Sequence, residues 1–295
     1  MFKSGFIGII GRPNVGKSTL LNGIMGEKIA IATHKPQTTR NRIKGIKNLE
    51  NGQFIFLDTP GIHKAKTPLN KFMVNAAVDT FGDMDLLLLL VEADTAPHND
   101  DIFIIKSLQG VETPVMLVIN KIDLVEKNKL LPLMDEFRHL FPFREIVPVS
   151  ALKGDGLNVL LDILRENLPE GPKYFPDDMI TDSSERFLAA EIIREKVILL
   201  THQEIPYSTA VVVDSFKEDE SRNLIRIQAS VNLEKDSQKG ILIGKKGTML
   251  KKIGREARLE MERFFATRVY LELFIKVSKG WTRDPRMLKE FGYSK

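Results

Sequence analysis

Nine consecutive residues, Gly11-Arg12-Pro13-Asn14-Val15-Gly16-Lys17-Ser18-Thr19, have the types and spacing needed to hold a phosphate chain. They read G-x-x-x-x-G-K-[ST]. The glycines let the backbone curl so that several N–H groups converge on one anion. Lys17 adds a point charge that reaches β- and γ-phosphates, and Ser18 offers a hydroxyl to Mg²⁺. Roughly forty residues on, Asp58-Thr59-Pro60-Gly61 supplies a carboxylate able to hold Mg²⁺ through water and a glycine N–H able to approach a γ-phosphate. Asn120-Lys121-Ile122-Asp123 selects the base. The Asp123 carboxylate accepts hydrogen bonds from N1–H and the exocyclic amine of guanine, a pair of donors that adenine lacks. Such pairing discriminates by factors on the order of 10⁴. Asn120 can tether the loop, the Lys121 stem can cover the base, and backbone N–H groups of Ser150-Ala151-Leu152 can meet guanine O6. The chemistry these residues predict is binding and hydrolysis of GTP with Mg²⁺, the metal resting on Ser18, Asp58 and a threonine still to be placed.

The elements that must position these groups are legible around them. Phe6 to Ile10 is a short apolar strand before the phosphate loop, and Thr19 to Met25 has helical spacing after it. That order sets a helix N-terminus behind the phosphates. Residues 29–40 lack periodicity and read as a mobile loop holding Thr38 and Thr39. Arg42 to Lys47 alternates like an edge strand, Asn51-Gly52 marks a hairpin turn, and Gln53 to Leu57 is the strand that delivers Asp58. Helices over Leu69–Phe81, Asn99–Leu108, Asp135–Leu140 and Asp155–Leu168 alternate with strands over Asp85–Val91, Pro114–Ile119 and Ile146–Val149. The βα alternation predicts an α/β fold, a doubly wound and mostly parallel sheet with its ligand at the strands' C-terminal ends.

Residues 169–182 hold Pro169, Gly171, Pro172 and Pro176 and read as a linker between a domain at 1–168 and another at 183–295. The second stretch predicts the order helix (185–201), strand, strand, helix, helix, strand, a smaller α+β domain. Its point of interest is Gly244-Lys245-Lys246-Gly247, a turn between two helices. Two glycines let a nucleic-acid backbone lie against protein backbone, and the lysines meet its phosphates. Ile241 and Ile243 can floor a narrow groove for unstacked bases, with Lys251, Lys252 and Arg255 of the following helix beside it. Leu250, Ile253, Ala257 and Met261 are that helix's expected core face.

Charge supports a polyanionic partner. The net charge is +4, yet residues 235–295 carry 16 basic against 7 acidic side chains. The sequence has no cysteine, which excludes disulfides, thiolate metal sites and a cysteine nucleophile, and fits a reducing, cytoplasmic setting. Met1 to Ser4 leads straight into the first predicted strand, leaving no room for a signal peptide. The longest apolar run, Leu86 to Val91, is far too short for a membrane span. A reading of the basic C-terminal part as a lipid-binding surface, peripheral to the inner membrane, is the alternative to RNA.

The four motifs in order resemble the translation-factor-related small GTPases over residues 1–168. That resemblance implies that Thr39, with Thr38 as the alternative, closes onto Mg²⁺ when γ-phosphate is present. Ile62 stands where Ras-like proteins carry the glutamine that orients water. Hydrolysis is therefore expected to be slow, since even glutamine-bearing Ras turns over unaided at about 10⁻⁴ s⁻¹. Asn14 resembles the residue of GTPases that recruit K⁺ in place of an arginine finger. His63 is read as an exposed loop histidine. The element order around Gly244–Gly247 is that of a KH domain. With Gln37-Thr38-Thr39-Arg40, Glu204-Ile205-Pro206-Tyr207-Ser208, Ile243 to Arg258 and Trp281-Thr282-Arg283-Asp284-Pro285, nearly the whole chain resembles the Era family of bacterial ribosome-assembly GTPases. The resemblance implies GTP/GDP and Mg²⁺ as ligands, K⁺ as a further one, and a monomer. Its partners would be the single-stranded 3′ end of 16S rRNA and the small ribosomal subunit under maturation. The segment from Trp281 is expected to pack on the domain rather than read RNA.

Overall fold

Strong β-formers between Gly-rich turns build the first sheet of the protein, seen in a computed structural model that describes residues 1–63, 67–94 and 97–293. Its strands are β1 (Lys3–Ile10), β2 (Ile43–Leu49), β3 (Gly52–Asp58), β4 (Leu86–Glu92), β5 (Val115–Asn120) and β6 (Ile146–Pro148). They lie in the order β2-β3-β1-β4-β5-β6. Only the β2–β3 pair is antiparallel. Leu86 to Val91 of β4 are fully buried, which is why that strand reads as an unbroken apolar run instead of an alternating one. The helices α1 (Lys17–Met25), α2 (Pro68–Val78), α3 (Asn99–Ser107), α4 (Leu130–Arg138) and α5 (Leu157–Asn167) are the crossovers. The β2–β3 hairpin turns at Glu50–Asn51, one residue earlier than Asn51-Gly52 predicts. Gly52 belongs to β3 because it lies against β1, where a Cβ would come within 2.8 Å of the Lys3 carbonyl.

Residues 169–182 are hydrogen-bonded along this first sheet. Gln53, fully buried in β3, accepts from the N–H groups of Tyr174 (2.8 Å) and Phe175 (2.9 Å) and donates to the Phe175 carbonyl (2.8 Å). Ser4 Oγ donates to Pro172 O at 2.7 Å, Ile46 N to Ile180 O at 2.8 Å, and Phe6 packs on Tyr174. The prolines that make the segment look like a free connection are compatible with this extended course, since Pro169 and Pro172 take part only as carbonyl acceptors and the donated N–H groups belong to Gly171, Tyr174 and Phe175. The chain divides into two compact units, the second made of the residues from Ser183 onward and the short stretch Thr67–Leu69.

The second unit has the predicted order: α6 (Glu185–Leu200), β7 (Thr209–Asp219), β8 (Leu224–Leu233), α7 (Asp236–Ile243), α8 (Thr248–Phe264), β9 (Arg268–Val277) and a closing α9 (Pro285–Glu290). Its sheet runs β7-β8-β9, antiparallel then parallel. Ser184 caps α6 by accepting from Phe187 N at 3.3 Å. Along α8 the core positions are Met249, Ile253, Ala257 and Met261. Met249 takes the place expected for Leu250, keeping one side chain per turn at i, i+4 facing the sheet. Trp281 is fully buried, donates to Ser208 O at 2.9 Å and stacks on Tyr293. The last two residues of the predicted domain, 294 and 295, lie outside the described residues.

Candidate functional sites

A cleft of about 810 Å³ opens at the C-terminal ends of the parallel strands, lined by the loop 12–19, residues 31–39, Gly61, Glu92, Asn120 to Asp123 and Leu152. Asn120, on the end of β5, organises it. Its Nδ2 donates to Val15 O at 2.8 Å and its Oδ1 accepts from Ala151 N at 2.9 Å, so one amide joins the phosphate loop to the loop after β6. Gly16, with φ 99°, has to be glycine, because a Cβ would fall 2.3 Å from that Nδ2. Gly61 lies as close to Pro13, and Ile62 N donates to Gly11 O at 3.1 Å. The β3 end is thereby fastened to the phosphate loop.

Lys17 Nζ donates to the carbonyls of Gly11 (3.0 Å) and Arg12 (2.9 Å). Burial lowers its pKa to about 8, against the opposing pull of Asp58. Ser18 Oγ donates to Asp58 Oδ2 at 2.7 Å and lies 2.8 Å from Thr39 Oγ1, which itself reaches Asp58 Oδ2 at 3.3 Å. Thr38 turns elsewhere, to Thr33 Oγ1 (2.6 Å) and Lys35 O (2.7 Å). The loop 29–40 holds no regular element, yet it is tied at its start as well: Asn22 of α1 bonds Ile29 N, Ala30 N and Ala30 O. Asp58 Oδ1 is buried with no partner among the described residues. An orphaned carboxylate oxygen beside two hydroxyls is a hard donor set that suits Mg²⁺. No cluster of three or more His, Cys, Asp or Glu occurs among the described residues, and Mg²⁺ is typically held by a carboxylate or two plus substrate phosphates.

Burial raises the Asp58 pKa to about 6, overriding Lys17 and the two hydroxyls that lower it. The fold therefore favours the protonated acid: its stabilising contribution is complete below the ordinary aspartate range and is lost as pH rises through about 6. A metal requires the carboxylate. Mg²⁺ affinity of the nucleotide complex is expected to be flat above about pH 7 and to fall below pH 6 toward about tenfold per unit. Phosphate protonation adds its own slope, so calorimetric titration of Asp58→Asn is the control. A wild-type profile no steeper than that of the variant would contradict the assignment.

Asp123 Oδ1 accepts from Ser150 Oγ at 2.6 Å, which orients the carboxylate toward the cleft rim. The backbone donors of Ser150 and Ala151 are engaged within the loop, to Asp155 O and Asn120 Oδ1 at 2.9 Å each, rather than presented free as expected for guanine O6. Leu152 stands 74% exposed at the rim. Asn14 is exposed in the phosphate loop with φ 69°. Thr59 is fully buried and donates to Ile9 O at 2.7 Å, pinning the strand that carries Asp58 ahead of Pro60.

Ile62, read as unable to orient water, turns away from the cleft. It is fully buried in the core with Ile10, Ala77, Phe81 and Leu87, because an apolar side chain at the start of this loop gains more from the core than from the cleft. His63 is not the exposed loop histidine of the sequence reading. It is half-buried, its Nδ1 3.1 Å from Gly61 O and its Nε2 buried without a partner among the described residues.

Two acids around Arg12 escaped the sequence reading. Glu92, ending β4, pairs through one oxygen with Arg12 of the phosphate loop and through the other with Lys121 of the base loop. Asp101 of α3 is buried, contacts Arg12 Nε at 3.4 Å and has its pKa raised by burial. The usable signal was an acid closing a buried strand, the same signal that marks Asp58.

In the second unit, Gly244 (φ 72°), Lys246 (φ 53°) and Gly247 (φ 78°) all have left-handed φ values between α7 and α8. Lys245, Lys246, Lys251, Lys252 and Arg255 are exposed, Ile241 is 52% exposed and Ile243 is half-buried. The structure thus brings the basic side chains and both isoleucines of the predicted groove onto one turn and its flanking helices.

Comparison with known proteins gives the family. Residues 6–121 match the family described as 50S ribosome-binding GTPase, and residues 204–282 match the KH domain. The chain is 69% identical over 294 residues to GTPase Era of Syntrophus aciditrophicus, covering 100% of this chain and 96% of that protein. It is 59% identical to GTPase Era of Geotalea daltonii, covering 99% and 98%. Among solved structures it resembles a variant of Aquifex aeolicus Era bound to GDP·AlF4⁻ (TM-score 0.95, 42% identity). It also resembles Era in complex with MgGDPNP and nucleotides 1506–1542 of 16S rRNA (TM-score 0.96, 42% identity). Both are covered in full, as is this chain. With a G-domain match and a KH match in one chain, and relatives of this identity over nearly their whole length, the protein belongs to the Era family of GTPases.

Proposed function

We propose that this GTPase is a slow nucleotide-controlled switch whose output is the binding of single-stranded ribosomal RNA by its KH unit. The observation that carries the reading is the mutual contact of Ser18, Thr39 and Asp58, at 2.7 to 3.3 Å. It joins the phosphate loop, the loop 29–40 and the end of β3 at one point. A γ-phosphate with its metal at that point biases all three. In this reading Gly11 to Thr19 and Lys17 hold the phosphates, Ser18 and Thr39 ligate Mg²⁺, and Asp58 holds it through water. Asn120, Lys121 and Asp123 hold guanine with Leu152 at the rim, and Ser150 and Ala151 act through their bonds to Asp123 and Asn120. Mg²⁺ would supply charge neutralisation between β- and γ-phosphates. Thr39→Ala tests the reading: affinity for a GTP analogue with Mg²⁺ is expected to fall about tenfold while GDP affinity stays unchanged. Equal losses for both nucleotides would contradict it.

Hydrolysis is slow in this account because the Ile62 side chain belongs to the core and offers no hydrogen bond to water. Asn14 is the residue proposed to recruit K⁺; equal rates in KCl and NaCl would remove it. Ile241, Ile243 and Gly244 to Gly247, with Lys251, Lys252 and Arg255, are the proposed RNA groove. The target proposed is the 16S rRNA 3′ end in the small subunit, since a relative of full-length similarity is seen with that RNA. Co-sedimentation with isolated small and large subunits tests this; association with the large subunit alone would contradict it. The protein acts in the cytoplasm as a monomer in this reading. Peripheral membrane association is the weaker alternative, because the apolar side of the basic helix α8 is spent on the core through Ile253, Ala257 and Met261. Among the described residues no helix is long and apolar enough to cross a membrane.

A further inference from the structure

The KH unit has a second basic feature, at the end of α8 remote from the glycine turn. Arg222, Arg226, Arg258 and Arg268 line a hollow of about 680 Å³ together with Tyr270, opposed by Glu220 and Glu262. By helical rise along α8 it lies about 20 Å from Gly247. Of the two acids, Glu262 is committed inside the protein, accepting from Arg258 Nη1 at 2.8 Å and from Val269 N at 3.2 Å, while Glu220 is exposed at the edge. Arg268 donates to the Arg222 carbonyl at 3.2 Å. Each of these two guanidiniums uses one of its five N–H donors in those contacts. Arg222 is 67% exposed, and its nearest acid, Asp219, is 3.8 Å away.

The hollow runs into an open sheet face. Core side chains of β9 are Val269, Leu271, Leu273 and Ile275, so the alternate residues point to the other side. On that side Tyr270 is 47% and Phe274 50% exposed. Arg226 sits opposite Tyr270 in the β8–β9 register, with its guanidinium 5.8 Å from the ring centroid. Next along the strands, Gln228 donates to Glu272 at 2.7 Å, and Tyr270 Oη is 3.2 Å from the same carboxylate. An exposed aromatic with an arginine over it, beside three more arginines and no lysine, is a combination suited to a base and its flanking phosphates. Guanidinium forks pair with phosphate oxygens two at a time and stack on bases as well, which an ammonium does not do.

We propose that this hollow and Tyr270 form a second RNA contact, taking an unstacked nucleotide of the same strand whose other nucleotides occupy the glycine-turn groove. Tyr270 stacks on the base, and Arg222, Arg258 and Arg268 meet the phosphates on either side. The contact extends the proposed KH-groove reading and rests on it. It lengthens the RNA footprint and makes affinity depend on RNA length beyond what the groove alone needs.

The test uses the full-length protein and two labelled RNAs: the sequence of 16S nucleotides 1506–1542, and the shortest segment of it that still binds. The variants are Arg222→Gln with Arg268→Gln, and separately Tyr270→Ala. Both act at exposed positions, and thermal melts with GTP affinity check that the fold persists. For the long RNA, each is expected to weaken binding about tenfold. The double variant should also make the slope of log affinity against log salt shallower by about 1.4, two phosphates at about 0.7 each. The short RNA should bind both variants as it binds wild type. Unchanged binding of the long RNA, or equal weakening of both RNAs, overturns the proposal. The groove itself is tested separately by Gly247→Asp, which is expected to weaken binding of both RNAs about 100-fold; if the short RNA binds that variant as it binds wild type, the groove reading fails, whatever the arginine variants do.

Discussion

Replacing Asp123 by Asn is expected to lower GTP affinity by a factor on the order of 10³ to 10⁴ and to create a preference for xanthine nucleotides. The carboxylate accepts two hydrogen bonds from guanine in the proposed pose. Asparagine presents one acceptor and one donor, so the exocyclic amine of guanine meets an N–H group instead of an oxygen. Xanthine carries a carbonyl at that position and restores the pair. Ser150 strengthens the effect, since it already donates to Asp123 Oδ1 at 2.6 Å and holds the carboxylate in one orientation. The side chain is exposed at the cleft rim, so the fold has little stake in its charge. Competition of XTP and GTP against a fluorescent nucleotide reads the switch directly. Unchanged GTP affinity would contradict the role given to Asp123.

Gly247→Asp is expected to weaken RNA binding about 100-fold while leaving GTP affinity unchanged. Gly247 has φ 78°, a conformation that Asp tolerates better than most side chains, and a Cβ there meets nothing within 4 Å. It also precedes α8, where an added carboxylate faces the positive end of the helix. The domain should therefore fold. What the substitution changes is the approach of a nucleic-acid backbone, now blocked by a side chain of phosphate's own sign. Gly244→Asp is the poorer probe, because its Cβ would stand 2.8 Å from Met249 Cβ and 2.9 Å from Met249 N. Loss of binding there would mix a displaced helix with a lost contact.

Much of this was legible before any coordinates. The phosphate loop, Asp58 and Asp123 announce themselves because phosphate, metal and base each demand particular atoms at fixed spacing, and the flanking strands carry a strong apolar signal. The order of elements in the second unit was legible as well, from a helix-period stretch at 185–201 followed by β-rich and helical stretches. Other features depend on contacts that no local pattern encodes. Residues 169–182 look like a free connection until Gln53, some 120 residues earlier, is seen to hold Tyr174 and Phe175. That Ile62 cannot orient water follows from its side chain alone, whereas its direction is decided by the core cluster of Phe81 and Leu87. Glu92 carried a readable sign, an acid at a strand's end, but its meaning comes from bridging Arg12 and Lys121, which only the tertiary fold brings together.

The central claim is that the nucleotide at the phosphate loop governs RNA binding by the KH unit. The direct measurement is the affinity of the full-length protein for RNA of the 16S 1506–1542 sequence, once with Mg²⁺ and GDPNP and once with Mg²⁺ and GDP, at one salt concentration. The account predicts a difference of about tenfold or more between the two states, as a coupling between sites of ordinary strength gives. Equal affinities would contradict it, and the protein would then be an RNA binder whose GTPase unit does not set its hold on RNA.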